Sequence, residues 1–307
     1  FQFDPKRHAP GPKQWLGHTM GAPGSAASSP NLGFVTTNPS TGMNEGIQAL
    51  TLLAADPHTA HFISYKLAQR FVADDPPPAL VDRMAATYLA SDGDIKAILL
   101  TLVQSPEFNS KKYFRNKVKT PMEFVASAFR TTATDPANPG ALMNTLNTMG
   151  MRLYYALPPT GYYITADHWM NSTALVDRLN FAYTLTGNKF ANQKFDSAHV
   201  LALGLMAQPA TPAGNQTATA NTPHAKYSEA ILTTEINTSL PNQPPPNATG
   251  QDIALHVLES SLIGGDVSAQ TNQLIRKQIA GLPAANSTET LNLLTALVMG
   301  SPEFQLR

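Results

Sequence analysis

Two loops of the sequence carry the residue types best suited to chemistry. The first contains His8 and Lys13 in a stretch rich in proline and glycine, and such a rigid turn could present a base and a cation toward an anionic group. The alternative is that the prolines and glycines fix a structural turn in which His8 bonds a backbone carbonyl. The residue types and their spacing leave both interpretations open.

The second loop contains Asp167, His168 and Trp169 and is followed by Arg178. A carboxylate beside a histidine can orient an acid or a base, and tyrosines can form a stacking platform for a sugar or an aromatic ligand. The tyrosines of this loop are Tyr154, Tyr155, Tyr162 and Tyr163. The alternative is that Trp169 anchors the loop to the helices and that Arg178 forms an ion pair across a helix interface.

Weaker candidates lie at the start of a predicted helix. His58 and His61 are three residues apart with no acidic residue between them, whereas the zinc-protease motif has histidines four apart with a glutamate between them. We therefore expect neutral, hydrogen-bonding histidines rather than metal ligands. Lys66 and Arg70, four apart, could bind a carboxylate or phosphate, or could pair with acidic residues that follow them.

Other signatures of catalysis and cofactor binding are missing from the sequence. There is no cysteine, which excludes thiolate nucleophiles, disulfides and zinc–thiolate sites. No phosphate-binding loop, dinucleotide fingerprint or Gly-x-Ser-x-Gly motif occurs. The sequence therefore predicts no metal and no cofactor, and it leaves open whether the chain is an enzyme.

The amino-acid composition limits the classes of binding partner that the sequence supports. The 307 residues contain 21 Lys plus Arg and 21 Asp plus Glu, so net charge gives no argument for nucleic acid or an anionic membrane surface. Charged residues make up only 14%, which suits a secreted or assembled protein more than a cytosolic enzyme. No apolar run approaches the roughly 18–20 residues of a membrane span.

The apolar pattern predicts a mainly α protein: a multi-helix array with short, proline-capped joints. We divide it into an irregular N-terminal segment (1–43), a helical core domain (44–187), a loop-rich insertion (188–250) and C-terminal helices that pack on the core (251–307). Within the insertion, helices are predicted near 197–207 and 226–237. Polar or proline-rich stretches fill the rest.

Helix starts are marked by an acidic or hydroxyl residue next to proline. We expect Asp56-Pro57, Ser91-Asp92-Gly93-Asp94, Ser105-Pro106 and Thr120-Pro121 to begin helices, and Ser172 to cap another. In the helix after Asp56 the predicted buried stripe consists of five residues. They are Phe62, Ile63, Leu67, Phe71 and Val72.

One tetrapeptide occurs twice. Ser-Pro-Glu-Phe spans 105–108 and recurs at 301–304, each time after a leucine-rich helix pattern. A duplicated unit is one explanation. The other is that a serine–proline cap is a common joint between helices.

Several segments together resemble the bacterial family known as domain of unknown function 1800. The resemblance is carried by F-x-F-D-P-x-x-H-x-P-G-P-K-x-x-L-G at 1–17, H-T-A-H-F-I-S-Y-K-L-A-Q-R-F-V at 58–72, D-D-P-P-P-A-L-V at 74–81, K-T-P-M-E-F-V at 119–125, W-M-N-S-T-A-L-V-D-R-L-N-F-A at 169–182 and S-P-E-F-Q-L-R at 301–307. Two positions depart from the family pattern. Ala9 stands where an aspartate is usual, and Gly161-Tyr162-Tyr163 stands where a Gly-Trp-Pro-type sequence is usual.

The resemblance implies location and organisation rather than a reaction. Members of the family are mostly exported, to the periplasm, cell surface or medium, and are often encoded beside a secreted sulfatase-like family. They are also longer, so the resemblance implies that this chain is the C-terminal part of a longer protein. The partners we expect are the N-terminal portion of the same precursor or other copies of the chain.

We expect a binding or structural component of an extracytoplasmic complex or surface assembly. The alternative is an extracytoplasmic hydrolase acting on a polymer, with its site between the His8 loop and the His168 loop. An enzyme would bring His8, Lys13, His168 and Arg178 into one pocket. A structural protein would leave each satisfied by local partners.

Overall fold

The computed structural model describes residues 3–9, 11–20, 42–190, 192–207, 249–282 and 287–307. Within these ranges the protein is mainly helical, with twelve α-helices and one small β-hairpin, which confirms the predicted class. The chain divides into two compact units, Phe1–Asn116 and Lys117–Arg307. The boundary falls inside the segment 44–187 that the sequence suggested as one domain, and the four-part division stays a prediction.

The first unit begins with a short 3-10 helix (Pro5–Arg7) and a hairpin of two three-residue strands, β1 (Lys13–Trp15) and β2 (His18–Met20). Leu16 and Gly17 form the turn with φ of 48° and 78°, and positive φ at both positions is typical of a tight antiparallel hairpin. From the sequence, residues 1–43 are predicted only to be irregular. Strands of three residues are too short to show alternation, and leucine is an unusual residue for a left-handed turn position.

Four helices complete the first unit: α1 (Gly42–Ala55), α2 (Pro57–Phe71), α3 (Pro78–Ala90) and α4 (Ile95–Val103). The predicted caps are confirmed, because Asp56 accepts from the His58 N–H at 2.7 Å and Asp94 accepts from the Lys96 N–H at 2.8 Å. The core is formed mainly by α2, α3 and α4. Its larger members are Val72, Leu80, Met84, Tyr88, Ile98 and Leu102.

The predicted buried stripe of α2 is partly wrong. Phe62 and Phe71 are about half exposed, and the helix instead buries its small residues Ala60, Ser64 and Ala68. Small side chains let two helix backbones approach closely, and α3 packs against α2. The hydrophobic pattern alone favours the bulky face, and it does not reveal a close approach made by small residues.

No helix begins at Ser105. The segment after α4 consists of consecutive hydrogen-bonded turns, and Ser105 Oγ accepts the Phe108 N–H at 3.1 Å. Asn109 then directs its side-chain amide back to the carbonyls of Val103 and Ser105, at 2.8 and 3.0 Å. These side-chain bonds compete with the helical pattern and end it within one turn.

The second unit contains the remaining eight α-helices. They are α5 (Pro121–Thr131), α6 (Pro139–Thr148), α7 (Ala166–Trp169), α8 (Ser172–Thr186), α9 (Ser197–Ala207), α10 (Gly250–Ile263), α11 (Ala269–Ile279) and α12 (Thr288–Gly300), followed by a 3-10 helix, Glu303–Gln305. Thr120 forms the capping box of α5 as its sequence predicts. The cap of α8 is Asn171, one residue before the predicted Ser172.

The core of the second unit surrounds α10 and α12. Residues 254–259 of α10 are all buried, so this helix is enclosed on nearly every side. Phe124 of α5 lies at the centre and contacts the rings of Phe181 and Phe304 edge-on, with centroids 5.8 and 5.7 Å apart. These aromatic contacts join α5 and α8 to the residues that follow α12.

The last residues of the second unit pair with its first residues. Val118 and Leu306 form an antiparallel bridge, the Lys119 N–H donates to the Gln305 carbonyl at 2.8 Å, and the Arg307 N–H donates to the Lys117 carbonyl at 2.8 Å. This short ladder holds residues 305–307 against the start of α5.

The described helices include none with the length and apolar character needed to cross a membrane. The helix predicted near 226–237 lies outside the described residues. The predicted helix at 197–207 is confirmed with those bounds as α9.

Candidate functional site

The loop between α6 and α8, residues 151–170 and here called the aromatic loop, is irregular but tied at several points. The Trp169 indole N–H donates to the Tyr163 carbonyl at 2.8 Å, and the Tyr162 hydroxyl donates to the Arg152 carbonyl at 2.6 Å. The Lys117 ammonium donates to the Ile164 carbonyl at 3.0 Å. Trp169 is itself buried, so two of these bonds tie the loop to itself, while Lys117 and the buried indole hold it to the rest of the second unit.

The anchored loop exposes large side chains. Tyr154 and Leu157 are essentially fully exposed, and Tyr155 and Tyr163 are more than half exposed. The Arg152 guanidinium lies 3.5 Å from the centroid of the Tyr155 ring, within the range of a cation–π contact. The loop therefore presents aromatic rings, flanked by polar groups, from a backbone that its own hydrogen bonds hold.

His168 is held on one ring nitrogen. Its Nδ1 lies 3.1 Å from an Asp167 carboxylate oxygen and 3.3 Å from the Thr165 hydroxyl. The Tyr163 ring stacks on the imidazole, with centroids 3.7 Å apart and an angle of 16°. Within the described residues nothing hydrogen-bonds to Nε2. A histidine whose Nδ1–H is directed at a carboxylate offers Nε2 as an acceptor, which is the arrangement a general base requires.

Asp167 stays ionised at ordinary pH. Its hydrogen bond with Thr165, followed by the one with His168, lowers the pKa of this carboxyl below its usual value. The side chain is largely exposed, so the effect orients His168 rather than stabilising the fold.

Arg178 lies in the core of the second unit instead of in the loop. It is 1% exposed, and its guanidinium donates to the Gln305 side-chain oxygen at 2.9 Å and to the Lys119 carbonyl at 2.7 Å. Burial lowers the pKa of Arg178 to about 10, against the opposing attraction of Glu123. These contacts join α8 to the terminal ladder, and they support a structural role for this arginine.

In the first unit, His8 and Lys13 meet at a third residue that the sequence analysis did not select. Glu45, in the first turn of α1, accepts from the Lys13 ammonium and lies 3.0 Å from His8 Nε2. The hydrogen bond from Lys13 is the largest of the effects that lower the pKa of Glu45. The anion that faces the predicted cation therefore belongs to the chain itself.

The Lys13 ammonium has further partners in the turn. It donates to the carbonyls of Ala9 and Gly11, at 2.7 and 3.2 Å, which leaves little capacity for a ligand. A Cβ on Gly42 would lie 2.4 Å from the His8 ring, so glycine at the start of α1 makes room for the imidazole. This geometry fastens the N-terminal turn to α1. A signal for Glu45 was its place one turn into a helix, where an acid is favoured.

The weaker candidates lie apart on α2. His58 is exposed and its Nδ1 lies 2.9 Å from Asp56, while His61 lies 3.8 Å from Asp82. Lys66 donates to Gln69 at 3.3 Å, and Arg70 is half-buried in the last turn. Over the described ranges, no group of three or more His, Asp or Glu side chains is arranged to hold a metal ion.

The structure thus forms two groups from the predicted residues. One is His8 with Lys13, in the first unit, and the other is Asp167, His168 and Trp169, in the second. The prediction of a site that combines them joins residues of different units, and it stays a prediction.

A model of the family described as "Protein of unknown function (DUF1800)" matches residues 1–306. No curated protein and no solved structure matches the sequence.

Proposed function

Since the chain belongs to the DUF1800 family, whose description names no reaction, we propose a function from the geometry of its own residues. The protein acts outside the cytoplasm as a binding component of a complex or surface assembly. Its aromatic loop recognises a carbohydrate polymer, and the chain's further contacts in the assembly are with the N-terminal portion of the same precursor or with other copies of itself.

One observation carries this proposal: the aromatic loop is anchored at its base and exposed at its surface. Several large apolar side chains exposed on one loop and flanked by polar groups are a feature of binding surfaces, unlike single exposed residues. A loop already held by the bonds of Trp169, Tyr162 and Lys117 loses little conformational entropy when a ligand binds. The anchoring of the aromatic loop therefore favours a role in ligand binding over a role as a simple connection between α6 and α8.

The chemistry of the exposed groups favours sugars over an apolar partner. A tyrosine ring can cover the C–H face of a sugar while its hydroxyl stays available for hydrogen bonds. Arg152 and Asp167 add a donor and an acceptor near Tyr155 and Tyr163. A purely apolar partner would leave these polar groups without compensation.

The test is affinity electrophoresis of the full chain through gels containing neutral bacterial or plant polysaccharides. Tyr154→Ala and Tyr163→Ala are each expected to weaken retention of the bound polymer, by roughly threefold to tenfold for a lost stacking contact. Tyr183→Ala is the matched control, because Tyr183 is half exposed on α8, outside the loop. Equal loss in the control, or no retention of the unaltered chain by any polymer, would refute the proposal.

The second candidate is a polymer-directed hydrolase, and the environment of His168 supports it. Nδ1 of His168 is directed at Asp167, the side chain is 38% exposed, and no described residue hydrogen-bonds to Nε2. His168 could therefore remove a proton from a nucleophile or from water. A pocket shared with His8 is not needed for this chemistry, since Asp167 already orients the ring.

The hydrolase candidate is tested separately from binding. In reducing-end assays on a retained polymer, His168→Gln should abolish product release while retention in the gel persists. His58→Gln is the control, because His58 forms a similar exposed pair with Asp56. Retention without any release of product by the unaltered chain would leave the binding function alone.

A further inference from the structure

Although the net charge of the chain is zero, positive charges are concentrated at the end of the first unit. Residues 109–116, here called the basic turn, read N-S-K-K-Y-F-R-N and contain three cations and no acid. Lys111 and Lys112 are exposed, and neither pairs with a carboxylate among the described residues. The chain as a whole is neutral, so this segment differs from its average.

The basic turn has a fixed shape. The N–H groups of Tyr113 and Phe114 both donate to the Ser110 carbonyl, at 3.1 and 3.2 Å, and the Lys112 N–H donates to the Ser110 hydroxyl at 3.1 Å. Asn109 bonds the end of α4, as described above. The cations are therefore presented by ordered backbone.

The two adjacent aromatic residues of the turn face different surroundings. Tyr113 packs against the core of the first unit, whereas Phe114 is 65% exposed. The Lys112 ammonium lies 4.9 Å from the Tyr113 ring centroid, and the Arg115 guanidinium lies 5.5 Å from that of Phe114. The Tyr113 ring anchors the turn, whereas the Phe114 ring is presented to solvent beside Arg115.

We propose that the basic turn docks the protein on an anionic lipid surface. The positive charge complements the negative headgroups, and the Phe114 ring would enter the boundary between headgroups and acyl chains. Phe108, next to the turn in the chain, is also partly exposed and would add apolar contact. Negative polymers without an apolar layer offer the cations a partner but leave Phe114 in water, which is why lipid is favoured.

The expected strength is modest and depends on salt. Each lysine near an anionic membrane contributes about fivefold to the partition coefficient, so Lys111 and Lys112 together contribute roughly 25-fold. Screening at higher ionic strength should reduce this contribution. Burial of one phenyl ring should add roughly tenfold.

The experiment is cosedimentation of the full chain with vesicles of equimolar phosphatidylglycerol and phosphatidylcholine at low salt, compared with pure phosphatidylcholine. The double variant Lys111→Gln, Lys112→Gln should bind the anionic vesicles roughly 25-fold more weakly. The double variant Lys66→Gln, Lys96→Gln removes the same charge from exposed positions of α2 and α4 and should bind nearly as the unaltered chain does.

A second pair of variants tests the aromatic contribution. Phe114→Ala should weaken vesicle binding by roughly tenfold, whereas Phe62→Ala should not, although Phe62 is also exposed and lies 5.7 Å from the Lys66 ammonium. In a Phe114→Trp variant, the added indole should show a blue-shifted emission on anionic vesicles.

Several results would overturn the proposal. Failure to bind anionic vesicles at low salt, equal binding to neutral vesicles, or equal loss in the two lysine double variants would each do so. So would competition by soluble polygalacturonate at equal charge concentration together with no effect of Phe114→Ala, since that result assigns the turn to a soluble polyanion. Retention of polysaccharide through the aromatic loop is measured independently, and these variants should leave it unchanged.

Discussion

In the first unit the tetrapeptide Ser-Pro-Glu-Phe follows α4, and in the second unit the same tetrapeptide follows α12. Both copies form the same local turn, since the serine hydroxyl accepts the phenylalanine N–H at 3.1 Å in one and 3.3 Å in the other. Both serines are buried. Local sequence is sufficient to define this turn in two different surroundings.

The remaining two side chains differ between the copies. Phe108 is 37% exposed, whereas Phe304 is 1% exposed and contacts Phe124. Glu107 forms an ion pair with Arg83 at 2.6 Å. Glu303 instead accepts the Ser268 N–H at 3.0 Å and the Thr271 hydroxyl at 2.9 Å, at the start of α11. The tetrapeptide therefore defines the conformation of the turn. Contacts with the neighbouring helices determine how much the turn contributes to the stability of its unit.

The largest expected difference concerns the two phenylalanines. Phe304→Ala removes a ring from the centre of the second core and should lower the free energy of unfolding by about 3–5 kcal/mol. Phe108→Ala is the matched control and should cost less than about 1 kcal/mol, because the ring is already partly in water. Chemical denaturation of both variants measures the contrast, and equal losses would contradict the role assigned to burial.

The second prediction concerns an acid that accompanies Glu303. Glu259 is 1% exposed and accepts two hydrogen bonds from the Asn272 amide, at 2.8 and 2.9 Å. Burial raises its pKa to about 7; the Asn272 bonds oppose the shift and the charge of Glu303 adds to it. Because the folded pKa exceeds the ordinary value near 4.5, this group's contribution to stability is complete below about pH 4.5 and is lost as pH rises through about 7.

The separation between those two pKa values corresponds to about 3 kcal/mol. We therefore expect Glu259→Gln to remove a decline in the unfolding free energy between about pH 5 and pH 8. Thermal denaturation across this range is the measurement, with Glu289→Gln, an exposed acid of α12, as control. An unchanged pH profile in Glu259→Gln would show that this carboxyl titrates normally.

The pKa of Glu303 moves in the opposite direction. Burial alone would raise it, but the hydrogen bonds from Ser268 and Thr271 together lower it below its usual value. Its contribution is therefore present at neutral pH and is lost on acidification. The two acids together place the best stability of this region in mildly acidic solution.

The third prediction tests what the copies share. Ser105→Ala and Ser301→Ala should each cost about 1 kcal/mol, because each removes the acceptor for a backbone N–H. Hydrogen exchange at the amides of Phe108 and Phe304 measures the two turns separately. If only one of the two serine variants lost protection at its phenylalanine amide, the same hydrogen bond would contribute differently to the stability of the two turns.

The smallest effect is expected for the exposed ion pair. Glu107→Gln removes the contact with Arg83, whose hydrogen bond is the main cause of the lowered pKa of Glu107. An exposed pair of this kind is worth about 0–1 kcal/mol. Chemical denaturation of Glu107→Gln at low and high salt measures this contribution. A loss of unfolding free energy above about 2 kcal/mol at both salt concentrations would contradict the assignment of an exposed, weakly stabilising pair.

Much of the fold was predictable because the start of a helix is determined by residues that are close together in the sequence. Asp56, Asp94 and Thr120 cap helices through bonds to residues two or three positions away. The helix expected after Ser105 failed for a related reason, because Asn109 supplies a competing local bond. The local sequence was therefore sufficient to predict a helix start where no neighbouring side chain offered a competing hydrogen bond.

What could not be predicted depends on contacts distant in sequence. Glu45 lies 32 residues from Lys13, and no local pattern joins them. The burial of Arg178 depends on Gln305, 127 residues later. That Trp169 is buried and donates to the Tyr163 carbonyl also could not be inferred from its local sequence.

The ladder that joins residues 117–119 to residues 305–307 has a consequence for engineering. A unit whose two ends meet can be circularly permuted, or placed within a surface loop of a host protein, with a short linker across the junction. The second unit can thus be treated as a portable insert, which would carry the aromatic loop into another protein.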